Sequence, residues 1–333
     1  MKIRGAKASV VGLAIILMGV PVGASAYDHL LDDTANSGHQ GTDGTVWGTI
    51  TSTAYSNKAA LTLPNALCGI GFHQSPIPIN LSSQILTRNP ATGAGDNNPP
   101  AQPVPHQNFV EPKYPHSISS AAGETALSST SNTYVFFNDG HFVKVEFSEG
   151  YPGALFLGQD RYPLVQFHIH APSEHAIVTD GNGTPVSTLY DGEVHFVHQR
   201  TDGALVVLGV FLQADPAAKP NSALTAIVAN TPTGASQYNT AAGVPLHPMN
   251  LIPQTNTRVV TYAGGLTTPG CNEGVTWNVL PEPLKVPQSQ IDQLKTFHNQ
   301  NNRILQNVNV EGGVSTKIQR TVEIHHNFHP LGH

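Results

Sequence analysis

Two histidines separated by one residue on a predicted β-strand constrain this chain more than any other feature of its sequence. Residues 166–175 read QFHIHAPSEH. Side chains alternate between the two faces of a strand, so His168 and His170 share one face with Gln166. Two imidazoles placed in this way can converge on a single metal ion, which requires at least one further ligand from elsewhere in the chain.

A third imidazole is available on a later predicted strand, where His195 lies within the segment EVHFVH. Three neutral nitrogen donors leave one position of a tetrahedral ion open for water, as in catalytic rather than structural zinc sites. Gln166 and Glu193 each precede a ligand by two residues on the same face, so we expect them to bind outer ring nitrogens. With 17 histidines in the chain, one H-x-H match alone would be weak, but this combination predicts a metal centre.

Residues 1–26 have the character of a secretory signal peptide. Lys2, Arg4 and Lys7 precede an apolar run, and Ala-Ser-Ala at residues 24–26 provides small residues for cleavage. The apolar run is too short for a transmembrane helix, and no second long apolar stretch follows. The mature protein is therefore expected to have no membrane span and to be periplasmic or secreted.

The charge balance argues against nucleic acid as a partner. The formal net charge is −6, and removal of the three positive residues in the signal makes it −9. Nucleic-acid binding requires a basic surface. Cys68 and Cys271 are the two cysteines, and in an exported protein we expect one disulfide between them, with two free thiols as the alternative.

Strand patterns dominate the sequence and are joined by turns rather than by crossover helices. Residues 134–147 predict a hairpin, and residues 193–198 and 205–212 predict buried strands. Helical signals are limited to short segments capped by Ser222 and Ser289. The predicted fold class is mainly β: a single domain on a large twisted, mostly antiparallel sheet with a few short helices.

Two segments are predicted to be additions to a domain that spans residues 27–310. Residues 86–133 are rich in Pro and Ser and predict an inserted surface loop with little regular structure. Residues 311–333 form a C-terminal tail that contains histidines. This tail is a candidate for zinc capture or surface binding, and a solvated disordered tail is the alternative.

A series of short motifs carries a resemblance to a known family. In chain order they are QSPI at 74–77, NDGH at 138–141, VEF at 145–147, QFHIH at 166–170, SEH at 173–175, EVHFVH at 193–198, LGVF at 208–211, LTTP at 266–269, VTW at 275–277 and NR at 302–303. The chain resembles an α-class carbonic anhydrase of the exported bacterial type. These motifs follow the family's order across residues 47–310.

The resemblance implies a zinc enzyme that interconverts carbon dioxide and bicarbonate, with a conical cavity leading to the metal. It implies that Zn²⁺ is bound by His168, His170 and His195. Thr267 would hold the attacking nucleophile in one orientation and pass its own proton to Glu174. The alternatives from the residues alone are an ordinary loop at Thr267 and a surface acid at Glu174.

The resemblance also implies a substrate pocket and a proton carrier. The apolar wall of the pocket would be formed by Val197, Val207, Leu266 and Trp277, and Thr268 would lie beside the product bicarbonate. By the resemblance, His141 matches the position of the family's proton shuttle. An imidazole suits that role, since it can accept and release protons near neutral pH. From the residues alone, the apolar side chains could equally be ordinary core residues, and His141 could be an exposed histidine after a turn.

The sequence departs from the family's pattern near its start. Family members have a water-ordering Tyr before the position of Trp47, and here His39 stands near that place. The oligomeric state is left open, with a homodimer as one candidate. Two other functions compete with the enzyme: a catalytically silent carbonic anhydrase-like binding protein, and a periplasmic zinc-binding protein.

Overall fold

The computed structural model of the protein describes residues 73–81, 110–114, 133–147, 151–181, 184–255, 258–268, 270–297, 300–306, 322–325 and 328–330. The predicted signal peptide, His39, Cys68 and most of the predicted insert lie outside these residues. Among the described helices, none has the length and apolar character needed to span a membrane.

A large sheet of eleven strands forms the body of the described chain. Its strands are β2 (Val110–Lys113), β3 (Thr133–Asn138), β4 (Val143–Phe147), β5 (Ala154–Leu157), β6 (Asp160–His170), β9 (Gly192–Gln199), β10 (Leu205–Ala214), β11 (Gln237–Ala242), β12 (Val259–Gly265), β13 (Glu273–Val286) and β14 (Val322–His325). A small sheet contains β1 (Pro78–Asn80), β7 (Ala176–Gly181) and β8 (Thr184–Leu189).

The main path of the large sheet runs in the order β11-β3-β4-β6-β9-β10-β13-β12-β14, and β5 carries β2 beside β6. Its strand pairs are antiparallel except for β10 with β13. The prediction of a mainly β fold on a large, mostly antiparallel sheet is therefore confirmed. The predicted hairpin at residues 134–147 is also confirmed, as β3 pairs with β4.

The two faces of this sheet carry separate apolar clusters, because side chains alternate along every strand. Phe167 and Phe196 belong to the larger cluster, on the face away from the histidines of β6. Val197, Val207 and Trp277 belong to the second cluster, on the histidine face. One sheet thus separates a large core from an apolar surface that adjoins the candidate site.

Two short α-helices are described, α1 (Ser222–Asn230) and α2 (Gln288–Lys295), along with a 3₁₀ turn at Pro248–Leu251. The predicted caps need correction. The Asn221 side chain accepts hydrogen bonds from the backbone of Ala223 and Leu224, so Asn221 rather than Ser222 caps α1. Pro287 occupies the N-cap position of α2 without a side-chain capping bond, and Ser289 lies inside the helix.

Regular structure extends into both segments that were predicted to be additions to the domain. Within residues 86–133, β2 pairs with β5, and Val110 is fully buried. Within residues 311–333, β14 pairs with β12, and Phe328 is buried in the larger apolar cluster. The described part of the tail therefore contributes a strand and a core side chain.

Candidate metal centre

Three histidines meet at the middle of the large sheet because of the register of two neighbouring strands. His168 on β6 is paired directly with His195 on β9, and His170 follows on the same face of β6. The distances between ring centroids are 5.0 Å for His168–His170, 5.2 Å for His168–His195 and 4.7 Å for His170–His195. One ring nitrogen from each lies within 4.8 Å of the others, so the predicted ligand set is brought together.

The outer nitrogen of each imidazole has a defined partner. His168 Nδ1 donates to Gln166 Oε1 at 2.9 Å, and His170 Nδ1 donates to the carbonyl oxygen of Asn301 at 3.1 Å. His195 Nε2 lies 3.0 Å from Glu193 Oε1. The nitrogens that are left as metal donors are therefore Nε2 of His168, Nε2 of His170 and Nδ1 of His195.

Burial and protonation of these side chains fit a bound cation. His170 Nε2 is buried and has no hydrogen-bond partner among the described residues. Burial lowers the pKa of His170 to about 4, and burial together with the neighbouring imidazoles holds the pKa of His168 well below its ordinary value. Burial also lowers the pKa of His195. The three imidazoles are therefore neutral at neutral pH, which is the form that binds metals.

A second cluster of donors, formed by His175, Glu193 and His195, is close enough to bind an ion. Its donors are already engaged, because His175 Nδ1 lies 2.8 Å from Glu193 Oε1 and His175 Nε2 lies 2.6 Å from the Tyr262 hydroxyl. Burial alone would raise the pKa of Glu193, but His175 and His195 hold it well below its usual range. This cluster supports the first one rather than forming a separate metal site.

Glu174 and Thr267 lie together beside the candidate metal donors. Glu174 is fully buried, with Oε2 3.7 Å from His170 Nε2 and 3.8 Å from His195 Nδ1. Its Oε1 accepts the backbone N–H of Arg303 at 2.8 Å, and its carboxylate is hydrogen-bonded to the Thr267 side chain. Burial raises the pKa of Glu174 to about 7, although His195, Thr267 and the Arg303 N–H oppose that rise.

The predicted pocket residues form a row across neighbouring strands. Val197 on β9 is paired with Val207 on β10, and Val207 is paired with Trp277 on β13. The Trp277 ring lies 4.8 Å from the His195 ring. Leu266 packs against the same cluster, and Thr268 is partly buried next to Thr267.

His141 lies in the turn between β3 and β4 and is 8% exposed. Asp139 Oδ1 accepts its backbone N–H at 2.7 Å. The next residue, Phe142, has its ring 4.8 Å from the His168 ring, which places the turn at the edge of the site. Lys144 is paired with His168 across the strands, and its Nζ lies 2.8 Å from Glu146 Oε1.

Two residues at this centre were missed by the prediction from sequence. The Asn301 carbonyl binds the outer nitrogen of His170, and the Arg303 N–H binds Glu174. Both lie 129 or more residues from their partners, so no strand periodicity connects them. The available signal was the NR motif at residues 302–303, which identifies this segment but gives it no role.

The fold and the site together define the class of this protein. It is a β-protein in which a large mixed sheet carries a candidate metal centre of three buried, neutral imidazoles on adjacent strands. The comparisons with known proteins make the assignment more specific. The chain belongs to the eukaryotic-type carbonic anhydrase family, whose model matches residues 116–311.

Two curated relatives are bacterial carbonic anhydrases. One from Pectobacterium atrosepticum is 35% identical over 184 residues, which cover 55% of this chain and 69% of the relative. One from Nostoc is 29% identical over 263 residues, which cover 79% of this chain and 83% of the relative. Together with the family match, these relatives identify the chain as a carbonic anhydrase enzyme.

Solved structures support the same fold. The α-carbonic anhydrase of Thermovibrio ammonificans, in complex with the inhibitor sulfanilamide, has a TM-score of 0.57 and 29% identity, covering 79% of this chain and 92% of its own. Carbonic anhydrase Cah3 of Chlamydomonas reinhardtii, in complex with acetazolamide, has a TM-score of 0.56 and 28% identity, covering 80% of this chain and 98% of its own.

Proposed function

We propose that the chain catalyses the reversible hydration of carbon dioxide to bicarbonate and a proton, with Zn²⁺ held by His168, His170 and His195. The observation that carries this proposal is the convergence of three neutral imidazoles, each of which has its outer nitrogen within 3.1 Å of an acceptor oxygen. When bound, zinc would act as a Lewis acid that lowers the pKa of a water molecule to about 7, a chemistry for which carbonic anhydrase is itself the standard example.

The residues around the three imidazoles would keep them in the geometry that zinc requires. Gln166, the Asn301 carbonyl and Glu193 each fix one ring by its outer nitrogen. Such partners set the tautomer and the orientation of a ligand, and their loss generally costs about 10- to 100-fold in metal affinity or activity.

Thr267 and Glu174 would orient the attacking nucleophile. Because Glu174 has its hydrogen bond with the Thr267 side chain, the threonine hydroxyl donates to the carboxylate and its oxygen remains available only as an acceptor. An acceptor at this position selects a single orientation of an attacking O–H group. A lone pair of the nucleophile is then directed at the substrate carbon.

Carbon dioxide is uncharged and nonpolar, so an apolar surface next to the metal donors suits it. We assign that surface to Val197, Val207, Leu266 and Trp277, which cluster on the histidine face of the sheet. Thr268 would contact the product bicarbonate. The Trp277 indole N–H donates to the Gly265 carbonyl oxygen at 3.0 Å, so the apolar face of the Trp277 ring can form part of the wall.

Each hydration releases one proton, and we assign its export to His141. An imidazole can take a proton from water in the cavity and return it to buffer. The predicted secretory signal would place this activity outside the cytoplasm. The disulfide between Cys68 and Cys271, the domain boundaries and a homodimer remain proposals.

Zinc titration of the metal-free protein tests the ligand assignment. We expect wild type to bind one zinc ion per chain, and His170→Ala to bind about 100-fold or more weakly in competition with a chelator, since a first ligand matters at least as much as its partners. His247→Ala serves as the matched control, because His247 precedes the 3₁₀ turn and adjoins Leu246, which belongs to the larger cluster on the face away from the metal donors. Equal zinc affinity in wild type and His170→Ala would reject the site.

A further inference from the structure

The side chain of Asn301 joins the turn that carries His141 to the strand that carries the metal donors. Asn301 is 1% exposed. Its Nδ2 donates to the carbonyl oxygen of His141 at 2.5 Å and to that of Ile169 at 3.4 Å. Its Oδ1 accepts the backbone N–H of Ala171 at 2.8 Å. These contacts link two chain segments that are not consecutive in sequence.

Only a primary amide of this length fits all three contacts. Nδ2 faces two carbonyl oxygens, so it must carry hydrogens, and Oδ1 faces an N–H, so it must accept. A carboxylate at this position would place an oxygen against two carbonyl groups. A buried side chain with all its polar partners in place has little freedom to move, because each lost bond would leave a buried group unsatisfied.

His141 is consequently fixed at both ends of its backbone. The Asp139 carboxylate accepts its N–H at 2.7 Å, and the Asn301 amide binds its carbonyl oxygen. The Asp139 contact is internal to the turn, whereas the Asn301 contact crosses to β6. Asn301 thus ties the turn to the segment around His170, whose ring it also binds through its own backbone oxygen.

We propose that the Asn301 side chain is a positioning residue for proton export, holding His141 at a fixed place relative to the metal-binding strand. This inference rests on the proposed shuttle role of His141. Transfer of a proton from cavity water to the imidazole depends steeply on the separation and alignment of donor and acceptor. A displaced turn would therefore slow proton export while leaving the imidazole intact.

The two kinetic constants separate this role from general damage. The ratio kcat/KM reports the steps up to conversion of carbon dioxide, while kcat also includes the release of the proton. Asn301→Ser removes the amide but keeps the backbone oxygen that binds His170. We expect kcat in weak buffer to fall about tenfold, which is less than the roughly 100-fold loss that a misplaced reacting group can cause. Because the Asn301 side chain also bonds the backbone on both sides of His170, we expect some loss of zinc affinity and of kcat/KM. The inference predicts that kcat of the zinc-saturated variant in weak buffer falls several-fold further than kcat/KM.

The experiment compares wild type, Asn301→Ser, His141→Ala and the double variant, with and without added imidazole. Asn278→Ser is the matched control, since Asn278 is also a fully buried amide but bonds to Thr261 on β12. The inference predicts that imidazole restores kcat in Asn301→Ser and that the double variant is no slower than His141→Ala. Asn278→Ser should lose stability only.

Three outcomes would overturn the inference. An unchanged kcat in Asn301→Ser, with a reduced kcat in His141→Ala, would reject the role of Asn301 and leave the shuttle standing. An unchanged kcat in His141→Ala would reject the shuttle and the inference together. Equal loss of kcat and kcat/KM in zinc-saturated Asn301→Ser, with no recovery of kcat by imidazole, would assign Asn301 to the metal centre alone.

Discussion

At the scale of single residues, the pair formed by Thr267 and Glu174 concentrates the chemistry of the proposed reaction. A buried carboxylate is costly unless donors compensate for its lost hydration. Here the donors are the Thr267 side chain and the Arg303 backbone. The threonine hydroxyl is thereby committed as a donor to Glu174, which gives the neighbouring cavity an acceptor of fixed direction.

Replacing Thr267 by Val keeps the shape of the side chain and removes the hydroxyl. We expect kcat/KM for hydration to fall about 100-fold, the lower end of the effect of removing one well-placed polar group from a transition state. Zinc affinity should be unchanged. Stopped-flow assays with Thr261→Val as a control test this, because Thr261 is a buried threonine that bonds to Asn278 rather than to Glu174. A Thr267→Val enzyme with wild-type kcat/KM would refute the assigned role.

At the scale of elements, a buried segment around His73 and Ser75 clamps the loop that carries Thr267. Glu273 Oε1 accepts the His73 N–H at 2.6 Å and the Gln74 amide at 3.0 Å. Gly265 N donates to Ser75 Oγ at 3.2 Å. Both flanks of the Thr267 loop are thus tied to the same short segment, which makes the loop depend on contacts far away in sequence.

The clamp should weaken in acid. Burial alone would raise the pKa of Glu273, but the hydrogen bonds from His73 and Gln74 outweigh it and lower that pKa to about 2. A carboxyl group with a lowered pKa in the folded state stabilises that state at pH values above its unfolded-state pKa. This contribution is lost as the pH falls toward the folded-state pKa. The difference in free energy of unfolding between wild type and Glu273→Gln should be largest above about pH 4.5 and shrink toward about pH 2. A difference that stays constant in urea titrations across that range would refute this account.

The C-terminal element is predicted to stabilise the fold rather than to act in the site. Phe328 is 1% exposed within the larger core cluster, and β14 covers the edge of β12. Phe328→Ala should lower the free energy of unfolding by about 3–5 kcal/mol, the range for large-to-small changes in a core. Tyr238→Ala, at a residue that is 70% exposed, should change it by no more than about 0.5 kcal/mol. Equal small effects would show that the tail does not stabilise the fold.

The elements predicted from sequence succeeded where a local pattern decides the structure. The alternation in residues 166–170 correctly placed His168 and His170 on one face, and the β3–β4 hairpin follows its turn signal. The caps of α1 and α2 were wrong because several adjacent polar residues satisfy the same local rule, and tertiary packing selects among them. β14 was missed because four residues of ordinary alternation in a polar tail carry too little signal to distinguish strand from coil.

At the scale of the whole molecule, the centre depends on contacts that no local rule contains. The pairing of His168 with His195, and the row from Val197 through Val207 to Trp277, are consequences of strand order and register. The resemblance to a family supplied those residues because the family shares that register. Asn301 was not identified, since its role depends on its position in three dimensions and not on any motif.

The predicted disulfide between Cys68 and Cys271 would join an N-terminal segment to the Thr267 loop. Cys271 is fully buried at the end of that loop. Reduction is expected to lower stability by about 2–5 kcal/mol, the usual effect of removing a native disulfide, and to lower activity with it. Melting temperature and hydration rate measured before and after a reductant, with thiol counting to verify that the bond has opened, test this. Unchanged values after verified opening would contradict it.

The most direct test of the whole account is the rate of carbon dioxide hydration by zinc-loaded protein, compared with metal-free protein and with His195→Ala. Circular dichroism should first establish that the variant retains the fold. The account predicts that wild type carrying one zinc ion per chain accelerates hydration well above buffer, while metal-free protein and His195→Ala do not. Intact, zinc-loaded protein that is no faster than buffer, or a His195→Ala variant as fast as wild type, would contradict it.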